Sequence, residues 1–444
     1  MLLTRQSKTL LESSMILGVF TIVGKLTGLL RDRILAGQFG ASTELDIYYA
    51  AFRIPDLVFN LLILGATSSA IVPIFIEYYQ RDKVEAWRVA QNFLNVMVAG
   101  MAILSILVFV LAKPAAHLIG PGFGSTEVKI LANLMRIMLL STLVFAVSTI
   151  LGSILHALQR FLVYALAPVF YNLGIIVGAI FFVPLFERWG YHGIYGLGAG
   201  VVLGALFHLF TQLPVALREG FRFGALFNVS DHAFRRMITL MIPRTLALGA
   251  YNIGLTIITS IASLLGSGSI TIINLATNLQ FVPVSVIGIS LATAVFPQLS
   301  SHAITRDVPE FKRKLNYALW ITLILTGFIA ILIFVFRQLI IDTIFQVGNF
   351  KEADRALTAS VLGIFMFSVM AQSLMHVITR AYYAFQNTKT PFLVAIFSIA
   401  LNVWLSYVLG LQLKMGVRGI AFATVTAYNI NFVFLYILFR RRYF

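Results

Sequence analysis

Cations stand in this chain where a membrane-length apolar helix should have none. Lys25 lies midway along the apolar run from about Leu10 to Phe39, Arg31 and Asp32 follow one to two turns later, and Arg53 interrupts the next run. An ionisable side chain at the centre of a bilayer helix costs at least ~2.5–3.5 kcal/mol, so it normally faces a bundle interior or a water-filled cavity. The cluster in the first two runs is therefore read as the wall of a cavity for an anionic substrate. For Arg31 and Arg33 the competing reading is snorkelling to the interface near the helix end, whereas Lys25 is too deep to snorkel easily.

Acidic partners are few. Lys25 and Asp32 are seven apart and share a helix face, with Gly28 between them. Arg53 and Asp56, three apart, can form a local salt bridge, and Asp46, at the start of the second run, is placed to neutralise Arg31 across the hairpin. Gly18-x5-Gly24-Lys25-Leu26 imitates a phosphate-binding loop, but the spacing is one residue too long and Leu26 replaces the metal-binding Ser/Thr. With no other nucleotide motif, any pumping must draw on an ion gradient or the membrane potential, worth ~2.3 kcal/mol per charge per 100 mV. The seven histidines are scattered without metal spacing or a nucleophile–base set, and there is no cysteine. Neither enzyme chemistry nor a cofactor has support in this pattern.

These residues must be positioned by a membrane bundle. Hydrophobic residues make up 59% of the 444 and charged residues 11%, against roughly 25% charged in a soluble domain. A net charge of +16 needs no nucleic acid partner, because cytoplasmic loops of spanning helices are enriched in Lys and Arg. Apolar runs of about 20 residues or more, enough to cross the hydrocarbon, number twelve, from 10–38 to 416–439. Placing the N-terminus in the cytoplasm puts eighteen Lys and Arg on that side and eight on the other, so both termini are expected inside. Arg5 and Lys8 before the stretch Thr9–Val23 imitate a signal peptide, but Glu12 and the lack of an A-x-A-like site favour a retained first span.

The chain also echoes itself. Ala66 to Pro73 resembles Ser290 to Pro297 at an offset of 224, and His156-Ala157-Leu158-Gln159 resembles Tyr383-Ala384-Phe385-Gln386 at an offset of 227. Six spans repeated in one orientation imply two bundles related by an axis along the membrane normal, with a substrate path between them. The expected fold is all-α integral membrane, with about twelve transmembrane helices in two six-helix bundles, 1–222 and 223–444, related by pseudo-two-fold symmetry. Gly196, Gly200 and Gly204 recur every fourth residue, the pattern of close helix packing. Gly24 and Gly28 share that spacing, and beside Lys25 they also offer room in a cavity wall.

The tract Gly24-Lys25-Leu26-Thr27-Gly28-Leu29-Leu30-Arg31-Asp32, with Phe39-Gly40-Ala41, Asp46 and Ala51-Phe52-Arg53-Ile54-Pro55, resembles the N-terminal signature of the MurJ/MviN family. Gly120-Pro121-Gly122-Phe123, Phe296 to Ser300 and Arg380 to Pro391 continue the resemblance in the family's order. It implies a bacterial inner-membrane flippase that moves lipid II, the undecaprenyl-pyrophosphate-linked peptidoglycan precursor, by alternating access. It also implies a central cationic cavity and a groove for the lipid tail. Lys25, Arg31, Asp32, Asp46, Arg53, Arg244 and Asn278 are the implied substrate-binding positions.

The chain departs from the family pattern at defined places. Lys25 replaces an arginine and so loses the bidentate fork for phosphate. Phe59 and Asn278 stand where cavity arginines are expected, Leu64-Gly65-Ala66 replaces Glu-Gly-Ala, and twelve spans are present where many members have fourteen. The resemblance implies a lipid-linked saccharide and the bilayer as partners, with envelope-synthesis proteins as further candidates. Two alternatives stay open: export of another lipid-linked glycan or amphiphile, and a transport-inactive scaffold for envelope synthesis.

Overall fold

In hydrocarbon the backbone has no acceptor but itself, so apolar runs of this length must satisfy their own N–H and C=O groups. The computed structural model describes residues 10–64 and 70–444, and their side chains except those of residues 10–17, 243 and 244. Among the described residues the ordered elements are all helical. The longest are α1 Leu10–Phe39, α2 Thr43–Leu64, α3 Lys83–Val110, α4 Ser125–Ala157, α5 Phe161–Arg188 and α6 Gly193–Arg218. They continue as α7 His232–Ser263, α8 Ser269–Ile304, α9 Val308–Phe345, α10 Glu352–Ala384, α11 Lys389–Gln412 and α12 Gly416–Tyr443. Among the described residues, eleven helices are long and apolar enough to cross a membrane. The difference from the expected twelve is α1, whose described part carries Lys25, Arg31, Asp32 and Arg33 and so fails on charge rather than length. The polar stretches 300–314 and 337–355 are largely helix too, because α8, α9 and α10 run on past their apolar centres.

The internal echo has a backbone counterpart. Gln159 and Gln386, the last residues of the matched tetrapeptides, both adopt the left-handed region, at φ 61° and 56°. Each follows a helix end closed the same way, with Arg160 N–H donating to Leu155 O at 2.8 Å and Asn387 N–H to Tyr382 O at 3.0 Å. Wide π-helical turns recur at similar offsets. Asn60–Leu64 in α2 and Val284–Ile289 in α8 begin 224 residues apart, Gly178–Phe182 in α5 and Ser406–Gln412 in α11 begin 228 apart. Local causes are visible for two: the Asn60 amide donates to Asp56 O at 2.7 Å, inserting into the helical ladder, and Pro283 withholds a backbone N–H just before the other. The other echo, through Ala66 to Ser69, and the charges at Arg5, Lys8 and Glu12 lie outside the described backbone or side chains.

Contacts between Cα atoms divide the chain into two units, Met1–Leu35 with Ile47–Thr256 and Ala36–Asp46 with Ile257–Phe444. In the first, α5 and α6 touch backbone to backbone: a Cβ on Gly200 would lie 2.6 Å from Gly178 Cα, which accounts for the glycine spacing. Gly28 meets only the Asn172 amide, at 3.5 Å from a Cβ built there, and Gly24 only Val169. Polar residues in α3 pin the connection after α6. Asn92 exchanges two hydrogen bonds with the Asn228 backbone, and Trp87 Nε1 donates to Glu219 O at 2.8 Å. The core there is built around Phe75, Trp87, Phe93 and Phe221.

The second unit buries Phe311, Tyr382 and Phe439 together, with the Tyr382 hydroxyl donating to Leu435 O at 2.9 Å. It also clasps the end of α1. Asn349 donates through its backbone to Gly37 O at 2.8 Å and through its side chain to Gln38 O at 2.6 Å. Large apolar side chains such as Ile324, Phe328, Ile331 and Val335 are exposed on α9. On a helix of this hydropathy they are the lipid-facing surface.

Candidate functional site

Within the first unit, Arg31 is held by a hydrogen-bond network. Its Nε and one terminal nitrogen donate to Asp32 Oδ1 at 3.0 and 2.7 Å, and the other terminal nitrogen donates to Asn172 Oδ1 at 3.1 Å. Adjacent residues of a helix do not face one another, but the long arginine stem folds back to reach Asp32, which is 3% exposed. Asn172, on α5, is 7% exposed. Its amide is oriented in turn by Gly24 O at 3.3 Å and Thr27 Oγ1 at 3.4 Å, and Thr27 Oγ1 itself donates to Gly24 O. Asn172 lies against α1 beside Gly28, where a Cβ would stand 3.5 Å from its amide, an ordinary contact distance.

A guanidinium has five N–H donors, and three of these are engaged. Arg31 is therefore held in one orientation with two donors in hand, and its 19% exposed side chain retains access. Asp32 offsets its formal charge, so Arg31 supplies a rigid fork more than net positive potential. Lys25, two turns earlier on α1 and half-buried, supplies a point charge. An ammonium and a guanidinium offer different chemistry to an anion, a mobile point charge and a planar fork.

Around the second helix the picture is mixed. Arg53 is half-buried and Asp56 exposed, and the two attract electrostatically one helical turn apart. Asn60 Nδ2 donates also to Asn252 Oδ1 on α7 at 3.2 Å. Phe59, where the family resemblance led us to expect a cation, packs 6.1 Å from the Phe145 ring, which lies 5.0 Å from Tyr171 and 5.1 Å from His208. Phe59 is therefore part of an aromatic cluster with Phe145, Tyr171 and His208. Beside it His208 Nδ1 lies 2.6 Å from Ser148 Oγ.

Three of the sequence-chosen positions lie elsewhere. Asp46 belongs to the second unit and is fully buried. Its carboxylate accepts from Gly268 N–H at 2.8 Å and from the Thr271 N–H and hydroxyl, each at 2.7 Å. It closes the start of α8, where orphan N–H groups and the helix dipole favour a carboxylate. Thr43 Oγ1 adds a bond to Ser267 Oγ at 2.9 Å. Asn278 is an exposed residue of α8. Arg244 is a residue of α7 whose side chain lies outside the described set. Sequence reading overlooked Asn172, Asn252 and His208. An isolated Asn in the apolar run Phe161–Val177 was the available signal for the first.

The chain has clear relatives among known proteins. A family model described as lipid II flippase MurJ matches residues 35–444. A probable lipid II flippase MurJ of Buchnera aphidicola subsp. Schizaphis graminum is 29% identical over 434 residues, covering 96% of this chain and 82% of that protein. Its counterpart in subsp. Acyrthosiphon pisum is 30% identical over 399 residues, covering 88% and 77%. The lipid II flippase MurJ of Burkholderia cenocepacia is 28% identical over 412 residues, covering 90% and 79%. Among solved structures, a lipid II flippase MurJ in an inward closed conformation matches with a TM-score of 0.80 at 24% identity, covering 96% of this chain and 87% of that one. An inward-facing multidrug resistance MATE family transporter matches with a TM-score of 0.77 at 17% identity, covering 94% of each; both show the fold. By the extent of the family match and these relatives, the chain belongs to the lipid II flippase MurJ family.

Proposed function

We infer that this protein moves lipid II across the bacterial cytoplasmic membrane by alternating access, with Arg31 and Lys25 meeting the diphosphate. The observation that carries the reading is the Arg31 guanidinium, fixed by Asp32 and Asn172 with two N–H donors still in hand. A preoriented donor pair in a low-dielectric site holds an oxyanion without first reorganising. Asp32 positions Arg31. Arg53 and Arg244 add positive potential, Asn278 offers a neutral amide to the headgroup, and Asp46 acts through the geometry of the α8 start. The two halves, 1–222 and 223–444, act as six-helix bundles, and the excess of cations on one side puts both termini in the cytoplasm. Envelope-synthesis enzymes are the partners such a carrier would serve.

The test is complementation of a strain depleted of its lipid II flippase. The wild-type chain should restore growth, Lys25→Ala should not despite normal membrane expression, and Lys25→Arg should. Failure of the expressed wild type to rescue, or rescue by the alanine variant equal to wild type, would overturn the reading.

A further inference from the structure

On α9, Lys314 and Arg337 bracket 22 uncharged residues, a rise of about 35 Å. That is close to the ~30 Å hydrocarbon thickness, so Arg337 sits at the edge of the apolar layer. Its stem lies on α10, where Gly363 leaves room for it: a Cβ at 363 would come within 2.7 Å of Arg337 Cδ. The guanidinium stacks 4.6 Å above the Phe334 ring and donates to Phe334 O. The nearest acid along the helix, Asp342, is already committed to Arg355 at 2.9 Å and to Gln338. Among the described residues Arg337 forms no ion pair. Beside it lies a cavity of about 320 Å³ lined by Arg337, Ser360 and Gly363, with Phe334, Phe367 and Phe422 along its walls. Those three rings are 37%, 59% and 42% exposed, so they face the acyl region.

We propose that this cavity, between α9, α10 and α12 of the second unit, binds an anionic phospholipid of the surrounding bilayer. Arg337 takes the headgroup phosphate, Ser360 offers a hydroxyl, and the chains lie along Phe334, Phe367 and Phe422. The charge decides the occupant: an uncompensated guanidinium at the edge of the apolar layer favours a lipid whose phosphate headgroup carries net negative charge, and the rings on its apolar side favour fatty chains. The site is separate from the Arg31 network and does not depend on what that network carries.

Native mass spectrometry of the full chain in detergent, with phosphatidylglycerol or phosphatidylcholine added, tests this. Wild type should retain phosphatidylglycerol in preference to phosphatidylcholine. Arg337→Gln should lower retention about tenfold, the scale of one charge-assisted hydrogen bond. Ser360→Leu, which fills the cavity and leaves the arginine in place, should shed the lipid as well, whereas Arg418→Gln, an exposed cation at the start of α12, should not. Equal retention of the two lipids by wild type overturns the proposal. So does unchanged phosphatidylglycerol retention in Arg337→Gln or, should that variant not fold, in Ser360→Leu.

Discussion

Asp46 is the position at which a substrate role and a structural role make opposite forecasts. Its carboxylate accepts three hydrogen bonds of 2.7–2.8 Å from Gly268 and Thr271 in a fully buried setting. In Asp46→Ala the Gly268 and Thr271 N–H groups lose their acceptor, at about 1–3 kcal/mol for each buried donor left unsatisfied. Relief of the carboxylate's own desolvation offsets part of that, which leaves roughly 2–4 kcal/mol. The second unit has about 200 residues, and for that size each kcal/mol moves a melting transition by about 2–4 °C. A drop of about 5–15 °C is therefore expected in detergent, read by the loss of monodisperse protein after heating. Asp46→Asn keeps one acceptor oxygen and should lose about 1–2 kcal/mol, from the weaker neutral hydrogen bonds. A melting temperature unchanged in Asp46→Ala, together with loss of lipid II flipping, would refute the clasp and return Asp46 to the substrate.

Other outcomes follow from the same geometry. Asn172→Ala removes one of the two anchors of Arg31, a charged hydrogen bond worth about 1.5–3 kcal/mol, and flipping in vesicles should fall about tenfold. Activity equal to wild type would mean that Asp32 alone holds the fork. Asn278→Arg restores a cation where the family resemblance places one, and lipid II should bind tighter by ~1–3 kcal/mol in native mass spectrometry. Unchanged or weaker binding in a well-folded variant would argue against contact between Asn278 and the headgroup. Gly200→Val puts carbon where Gly178 Cα stands 2.6 Å away, so α5 and α6 must part, and overpacking of this kind costs about 1–3 kcal/mol. A wild-type melting temperature for that variant would contradict the packing.

What the sequence determined by itself is whatever hydropathy and spacing encode locally. Apolar runs longer than the bilayer required helices, the glycines at 196, 200 and 204 marked a close helix contact, and Lys25, Arg31 and Asp32 put charges inside the first helix. Two echoes at nearly one offset announced the repeat, which the backbone displays again as paired left-handed glutamines and π-helical turns. Local pattern also misled. Asp46, read as a counter-charge for Arg31, spends its oxygens on the start of α8, more than 200 residues away in sequence.

Only the tertiary structure decided those matters, because they depend on which segments meet. Asn172 became a positioning residue because it meets Arg31 and Gly24 O where α5 lies against α1, a pairing that no spacing along either helix expresses. Nothing in the sequence singles out Arg337; the fold sets Gly363 beneath its stem and gives Asp342 to Arg355. A hydrogen-bond partner is chosen by proximity in space, and proximity between distant segments is what a linear sequence leaves unstated.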